Sequence, residues 1–168
     1  MKMRTALLVA VASLLVMVAL YIGSPFWAAS RIEKAVVAKD TDTLGQLIDA
    51  DAVATDLRGR MDAEIIKNGG YPEGLAGVMA PAIVDRMVNA AVSPYGMMEL
   101  LKGRPPLAAP GYDEPEITYR WGYVSPNRFR IRTFNGTTQA DGPSFLMKRD
   151  NLFQWKIAKV EPAETPAA

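Results

Sequence analysis

Three rhythms of apolar and polar residues succeed one another along this chain. The first is unbroken. From Ala6 to Ile22 there are 17 residues without a charge, and only Ser13 interrupts them. A helix of that length is about 26 Å long, close to the minimum that crosses a bilayer. Lys2 and Arg4 precede it, and a positive flank keeps the N-terminus cytoplasmic and exports the chain beyond the run. The run is longer than the roughly 7–15 residues of a signal-peptide core. Small residues satisfy the −1 and −3 positions of a cleavage site only at Ser30 with Ala28. Residues 1–23 therefore read as a membrane anchor, or uncleaved signal, in preference to a discarded leader.

The second rhythm is helical. Ser24-Pro25 has the N-cap and first-turn residues of a new helix, whose face carries Ala28, Ile32, Ala35 and Val36. The pair Phe26-Trp27 fits either of two roles, membrane-interface anchors or packing beneath the domain. Asp40-Thr41-Asp42 caps a short helix with Leu44, Leu47 and Ile48. A helix from Asp51 sets Val53, Leu57, Met61, Ile65 and Ile66 against Asp56, Arg58, Arg60, Asp62 and Glu64. Residues 68–72 form a stop. A fourth helix, from about Glu73 to Ala91, carries Met79, Ile83, Met87 and Val88, with Pro81 splitting or kinking it. Ser93-Pro94 opens a fifth, ending at Leu101. Four methionines between Met79 and Met98 fit an irregular core better than a ligand surface.

The third rhythm is alternation. It comes after a linker, 103–115, that contains four prolines. Tyr119, Trp121 and Tyr123 alternate with Arg120, Gly122 and Val124. Phe129 and Ile131 alternate with Arg128, Arg130 and Arg132. Phe145 and Met147 mark a third strand, and Phe153, Trp155 and Ile157 a fourth. A three-residue first turn sets Tyr123 opposite Phe129, Trp121 opposite Ile131 and Arg120 opposite Arg132. That register keeps one apolar and one basic face, whereas a one-residue slip mixes them. The expectation is an α+β chain: a transmembrane helix, about five helices, then a four-stranded antiparallel meander. The apolar face of the sheet, Tyr119 and Trp121 included, packs on the helices. The exported domain spans 24–160, and 161–168 is a disordered tail.

Composition narrows the chemistry. The chain has no cysteine and no histidine, which excludes thiol nucleophiles, disulfides, Ser-His-Asp triads and histidine metal sites. The net charge of +1 conceals a division. Residues 32–116 hold 8 Lys/Arg and 14 Asp/Glu, whereas 117–160 hold 8 Lys/Arg and 2 Asp/Glu. Acidic helices lining a basic sheet, or a solvated face, account for much of this pattern. The candidate anionic-partner face is Arg120, Arg128, Arg130, Arg132, Lys148 and Lys156. Its partner would be an anionic lipid or protein. Nucleic acid does not fit an exported domain. Asp49, Asp51, Asp56 and Asp62 suit helix caps and solvent faces better than acid–base pairs. No catalytic residue, cofactor or metal is expected.

Several short motifs together resemble an uncharacterised proteobacterial family, a domain of unknown function behind an N-terminal membrane segment. They are Ser24-Pro25-Phe26-Trp27 with Ile32-Glu33-Lys34-Ala35, Asp40-Thr41-Asp42-Thr43-Leu44, and Val92-Ser93-Pro94-Tyr95-Gly96. Arg128-Phe129 and Leu152-Phe153-Gln154-Trp155-Lys156 complete the set. The resemblance implies helices followed by an antiparallel sheet, and no assigned activity. A looser likeness, through residues 39–44, is to cystatin-like and nuclear-transport-factor-2-like cone folds, which hold ligands against a concave sheet. The functional expectation is a membrane-tethered, non-enzymatic binding or interaction module in the bacterial envelope, sited at the inner membrane with its domain periplasmic. The alternative is a pocket for a small apolar or lipid-like ligand between helices and sheet.

Overall fold

A computed structural model of the chain describes residues 2–71, 74–104 and 116–163. Most of the expected linker (105–115) and the end of the expected tail (164–168) lie outside the described residues. Helix α1 runs from Lys2 to Ala38, 37 residues, with Pro25 inside it. The break expected at Ser24-Pro25 is absent, so the apolar run and the first domain helix are one element. Proline removes the N–H that would reach the Tyr21 carbonyl. The Ser24 hydroxyl donates to that carbonyl instead, at 2.9 Å, and the helix continues.

Beyond Ala38 the caps explain the short helices. The Asp40 carboxylate accepts from the Thr43 amide at 2.9 Å and starts α2 (Thr41–Gln46). The Thr43 hydroxyl and amide bonds hold the Asp40 carboxyl below its ordinary range. Asp49, rather than Asp51, caps α3 (Ala50–Lys67) through the Ala52 amide at 3.1 Å. α4 (Leu75–Val92) passes Pro81 as a single helix, and Ser93 caps α5 (Pro94–Leu101). Four antiparallel strands then come in sequence order: β1 (Ile117–Ser125), β2 (Arg128–Asn135), β3 (Asp141–Arg149) and β4 (Trp155–Glu161). The first turn is two residues, not three, since Ser125 pairs with Arg128; a bulge at Val124 then restores the register that the alternation favours, with Arg120 opposite Arg132, Trp121 opposite Ile131 and Tyr123 opposite Phe129.

The core lies between α1, α2, α3, α5 and one face of the sheet. Ala28, Ala29, Ile32, Leu44, Val53, Met97 and Leu101 meet Phe129, Ile131, Phe145, Met147, Trp155 and Ile157 there, all buried. A β-bulge at Ala158 shifts the parity of β4, turning Val160 inward and Lys159 and Glu161 outward. The edge of β4 is closed by the chain between α2 and α3. Asp49 N–H donates to the Ile157 carbonyl and Ile157 N–H to Leu47, both at 2.8 Å. That pairing covers an edge that would otherwise present open backbone groups.

Three side-chain placements differ from the expected pattern. Trp121 is 37% exposed, because β1 is the other edge strand and the helices cover it incompletely. Phe153 lies in the β3–β4 loop, before β4 begins. Met97 and Met98 are buried, but Met79 and Met87 stand exposed with Ile83 on one side of α4.

Candidate functional site: a clamped helix and a basic sheet face

Two features could carry function, and both belong to the sheet. The first is a clamp around the midpoint of α1. Tyr21 and Ser24 lie one turn apart, at the exit of the apolar run. The Ser24 hydroxyl is an acceptor as well as a donor: the buried Trp155 indole N–H donates to it at 2.9 Å. The Arg149 guanidinium stacks between two rings, 3.8 Å from the Tyr21 centroid and 4.3 Å from that of Trp155. Its Nη1 donates to the Leu152 carbonyl at 2.5 Å, and its Nη2 to the Pro126 carbonyl at 3.3 Å. The Tyr123 hydroxyl donates to the Ile22 carbonyl at 2.7 Å. Phe26 packs edge-to-face on Phe129, with centroids 4.9 Å apart. One serine, one arginine and an aromatic cluster thus bind the kink-prone turn of α1 to the sheet.

Phe26 therefore has its ring shared with the domain, whereas Trp27 is 65% exposed, with Arg31 over its face at 5.1 Å. Arg149 is the residue that alternation alone does not find. It shares the inward parity of Phe145 and Met147, and a charge on an apolar face is the signal that marks it.

The second feature is the outer face of the sheet. The register lays its cations out in rows. Arg128, Lys148 and Lys156 are cross-strand neighbours nearest the two hairpin tips. Arg130 lies opposite Gly122 in the next row, and Arg120 opposite Arg132 beyond it. Gly122 offers no side chain, and nothing stands within 4 Å of where a Cβ would be. The result is an open depression of about 250 Å³ with Arg120, Arg130 and Arg132 around Gly122 and Phe134. Arg120 lies over the Phe134 ring at 4.7 Å.

Neutralisation across this face is uneven. The bulge in β4 delivers Glu161 to Arg130 at 3.2 Å and to Lys159 at 3.3 Å. Partial burial raises the Glu161 carboxyl; the Lys159 and Ser144 hydrogen bonds and the Arg130 and Lys159 charges outweigh it, and the net shift is downward. Lys156 pairs with Asp150 at 3.4 Å. Among the described residues no carboxylate pairs with Arg120, Arg128, Arg132 or Lys148. The six sequence candidates are thus on one face, with four of them unneutralised. Of the acidic residues weighed as catalytic, Asp49 lies in its cap, Asp51 in the first turn of α3, Asp56 on Arg60 and Lys159, and Asp62 on the Tyr71 hydroxyl.

Residues 14–100 match the model of a family described as "Protein of unknown function (DUF2939)". The chain belongs to this family. The matched stretch begins inside the apolar run and ends near the close of α5. It takes in Ser24-Pro25-Phe26-Trp27 and Val92-Ser93-Pro94-Tyr95-Gly96 but stops short of the sheet, where Arg128-Phe129 and Leu152–Lys156 lie. No curated protein and no solved structure matches the chain. The likeness to cystatin-like folds is accordingly unconfirmed. In this DUF2939 chain the clamp joins the two parts, since Ser24 from the matched stretch receives Trp155 from beyond it.

Proposed function

We propose that this DUF2939 protein is a single-pass, non-enzymatic interaction module of the bacterial envelope. Its N-terminus is cytoplasmic, its domain periplasmic, and its basic sheet face receives an anionic group of a partner. One observation carries the reading. A single helix is long and apolar enough to span a membrane over its exposed first half, with mean hydropathy 2.6 in its most apolar window, and forms a core strut in its second. Cleavage at Ser30 would strip Ser24, Ala28 and Ala29 from the packed domain, which favours retention of the segment. Lys2 and Arg4 set the orientation by the positive-inside bias. The arginines around Gly122 suit a carboxylate or phosphate, because guanidinium groups bind such oxygens in pairs.

The test is biochemical. Expressed with a C-terminal tag in a Gram-negative host, the full chain should stay with the inner membrane through an alkaline carbonate wash. The tag should be digested by protease added to spheroplasts. Mass spectrometry should find the N-terminal residues intact. A soluble chain beginning near residue 31 overturns the tether.

Between helices and sheet a recess of about 160 Å³ lies at the margin, lined by Trp27, Arg31, Gln46 and Lys156, and the core itself is packed. The residues there, from Leu44 and Val53 to Met147 and Ile157, are buried against one another. An apolar recess of about 470 Å³ lies instead outside the core, against Leu20, Gly23, Trp27 and Phe153.

A further inference from the structure

The β3–β4 loop is built unlike an ordinary polar tip. Leu152 and Phe153 are 64% and 40% exposed. The loop is not loose: the Asn151 side-chain oxygen accepts from the Phe153 amide at 3.3 Å and the Gln154 amide at 3.1 Å. Arg149 holds the Leu152 carbonyl from below, at 2.5 Å. An ordered loop that presents two large apolar side chains to solvent calls for an apolar surface to meet them.

Its position supplies the partner. Phe153 lines the same recess as Ala19, Leu20, Gly23 and Trp27, so the loop tip is level with the last turns of the apolar run. The strands lie along α1: Tyr123 reaches Ile22, while Tyr119, four residues back, feels the charge of Glu33. The β3–β4 tip, beside Tyr21 and Ser24, therefore points toward the exposed span. Thr5 to Ile22 covers about 27 Å of a hydrocarbon layer about 30 Å thick, which sets this level at the boundary with the headgroups. Immediately above the tips run Arg128 and Lys148, two of the unneutralised cations of the basic face.

We propose that the β3–β4 loop is a second membrane contact. Leu152 and Phe153 enter the headgroup–acyl boundary beside α1, and Arg128 and Lys148 meet anionic headgroups above them. The partner is the lipid bilayer itself, and the domain is seated on it rather than held clear. The inference rests on the tether reading.

The absence of cysteine makes the test direct. Leu152→Cys and, at the opposite end of the sheet, Thr137→Cys are each introduced into the full chain. Each is labelled with an environment-sensitive fluorophore and reconstituted into liposomes containing shallow nitroxide-labelled lipids. The position-152 probe should be blue-shifted and strongly quenched, and the position-137 probe neither. Quenching at 152 should be stronger in vesicles containing phosphatidylglycerol than in phosphatidylcholine alone. Arg128→Gln with Lys148→Gln should abolish that difference, since each basic residue near an anionic surface changes the partition by about fivefold. A chain that floats with the liposomes but carries a probe at 152 as wet as that at 137 overturns the loop contact and leaves the tether standing. Equal quenching in both vesicle types overturns the role of the basic row. A chain that does not float overturns the tether and, with it, this inference.

Discussion

Ser24 shows how much a single hydroxyl can hold in place. It supplies the Tyr21 carbonyl with the hydrogen that Pro25 withholds, and it accepts the buried Trp155 indole. Ser24→Ala leaves an indole N–H buried without a partner, which costs about 1–3 kcal/mol. Denaturant unfolding of the full chain in mild detergent should show that loss, and Ser24→Thr should recover part of it. Tyr119 gives a second measurement. Burial, and then the Glu33 carboxylate, push its phenol up to about 12 from 10.0. A neutral phenol is favoured in the fold, so its contribution is whole below pH 10. It falls away as pH rises through the folded value, by about 3 kcal/mol in all. The alkaline decline in stability between pH 10 and 12 should flatten in Tyr119→Phe, a variant that also gives up the bond to the Leu101 carbonyl at 3.1 Å. Neither role is legible in local sequence. Ser24 before a proline reads as a helix cap, and the partner that makes it otherwise lies 131 residues away. Arg149 escapes a local reading for the same reason: its stacking rings come from α1 and β4.

Elements are far more legible than contacts. The caps at Asp40 and Ser93, the helical span of α3 and the alternation of β1 and β2 are local patterns, and local physics sets them. The register of the first hairpin is readable because a slip would turn arginines into the core. Two departures have a shared origin in backbone detail that side-chain patterns do not encode. A proline is accommodated within α1 by a side-chain hydroxyl, and a bulge in β4 brings Glu161 from the expected tail onto the arginine face. The motif Val92-Ser93-Pro94-Tyr95-Gly96 gains a concrete meaning. Ser93 accepts from the Gly96 amide at 3.0 Å and donates to the Ala90 carbonyl at 2.7 Å, folding α5 tightly back on α4. A Cβ at Gly96 would overlap the Ala90 carbonyl oxygen and crowd that of Ala91. Gly96→Ala should therefore destabilise the protein by about 3 kcal/mol, toward the upper end of overpacking costs. Circular dichroism melts of wild type and variant would register it as a lowered midpoint with helix content intact before the transition.

Across the whole molecule, charge and exposure are divided by side. The basic face of the sheet looks away from the helices, and the exposed Met79, Ile83 and Met87 of α4 lie on the helical side. Among the described residues the element common to the apolar run and the core is α1. Its proline, the place where a helix would bend, is clamped by Ser24, Arg149 and Trp155. Under the proposed tether, the domain would take its bearing from the bilayer. If the span leans to match a thinner membrane, by about 20° for a typical tilt, the strut from Gly23 to Ala38 swings sideways by on the order of 8 Å. The arginine face turns through the same angle. Lipid thickness would thereby become an aiming device, deciding which direction the binding face presents to whatever passes in front of it.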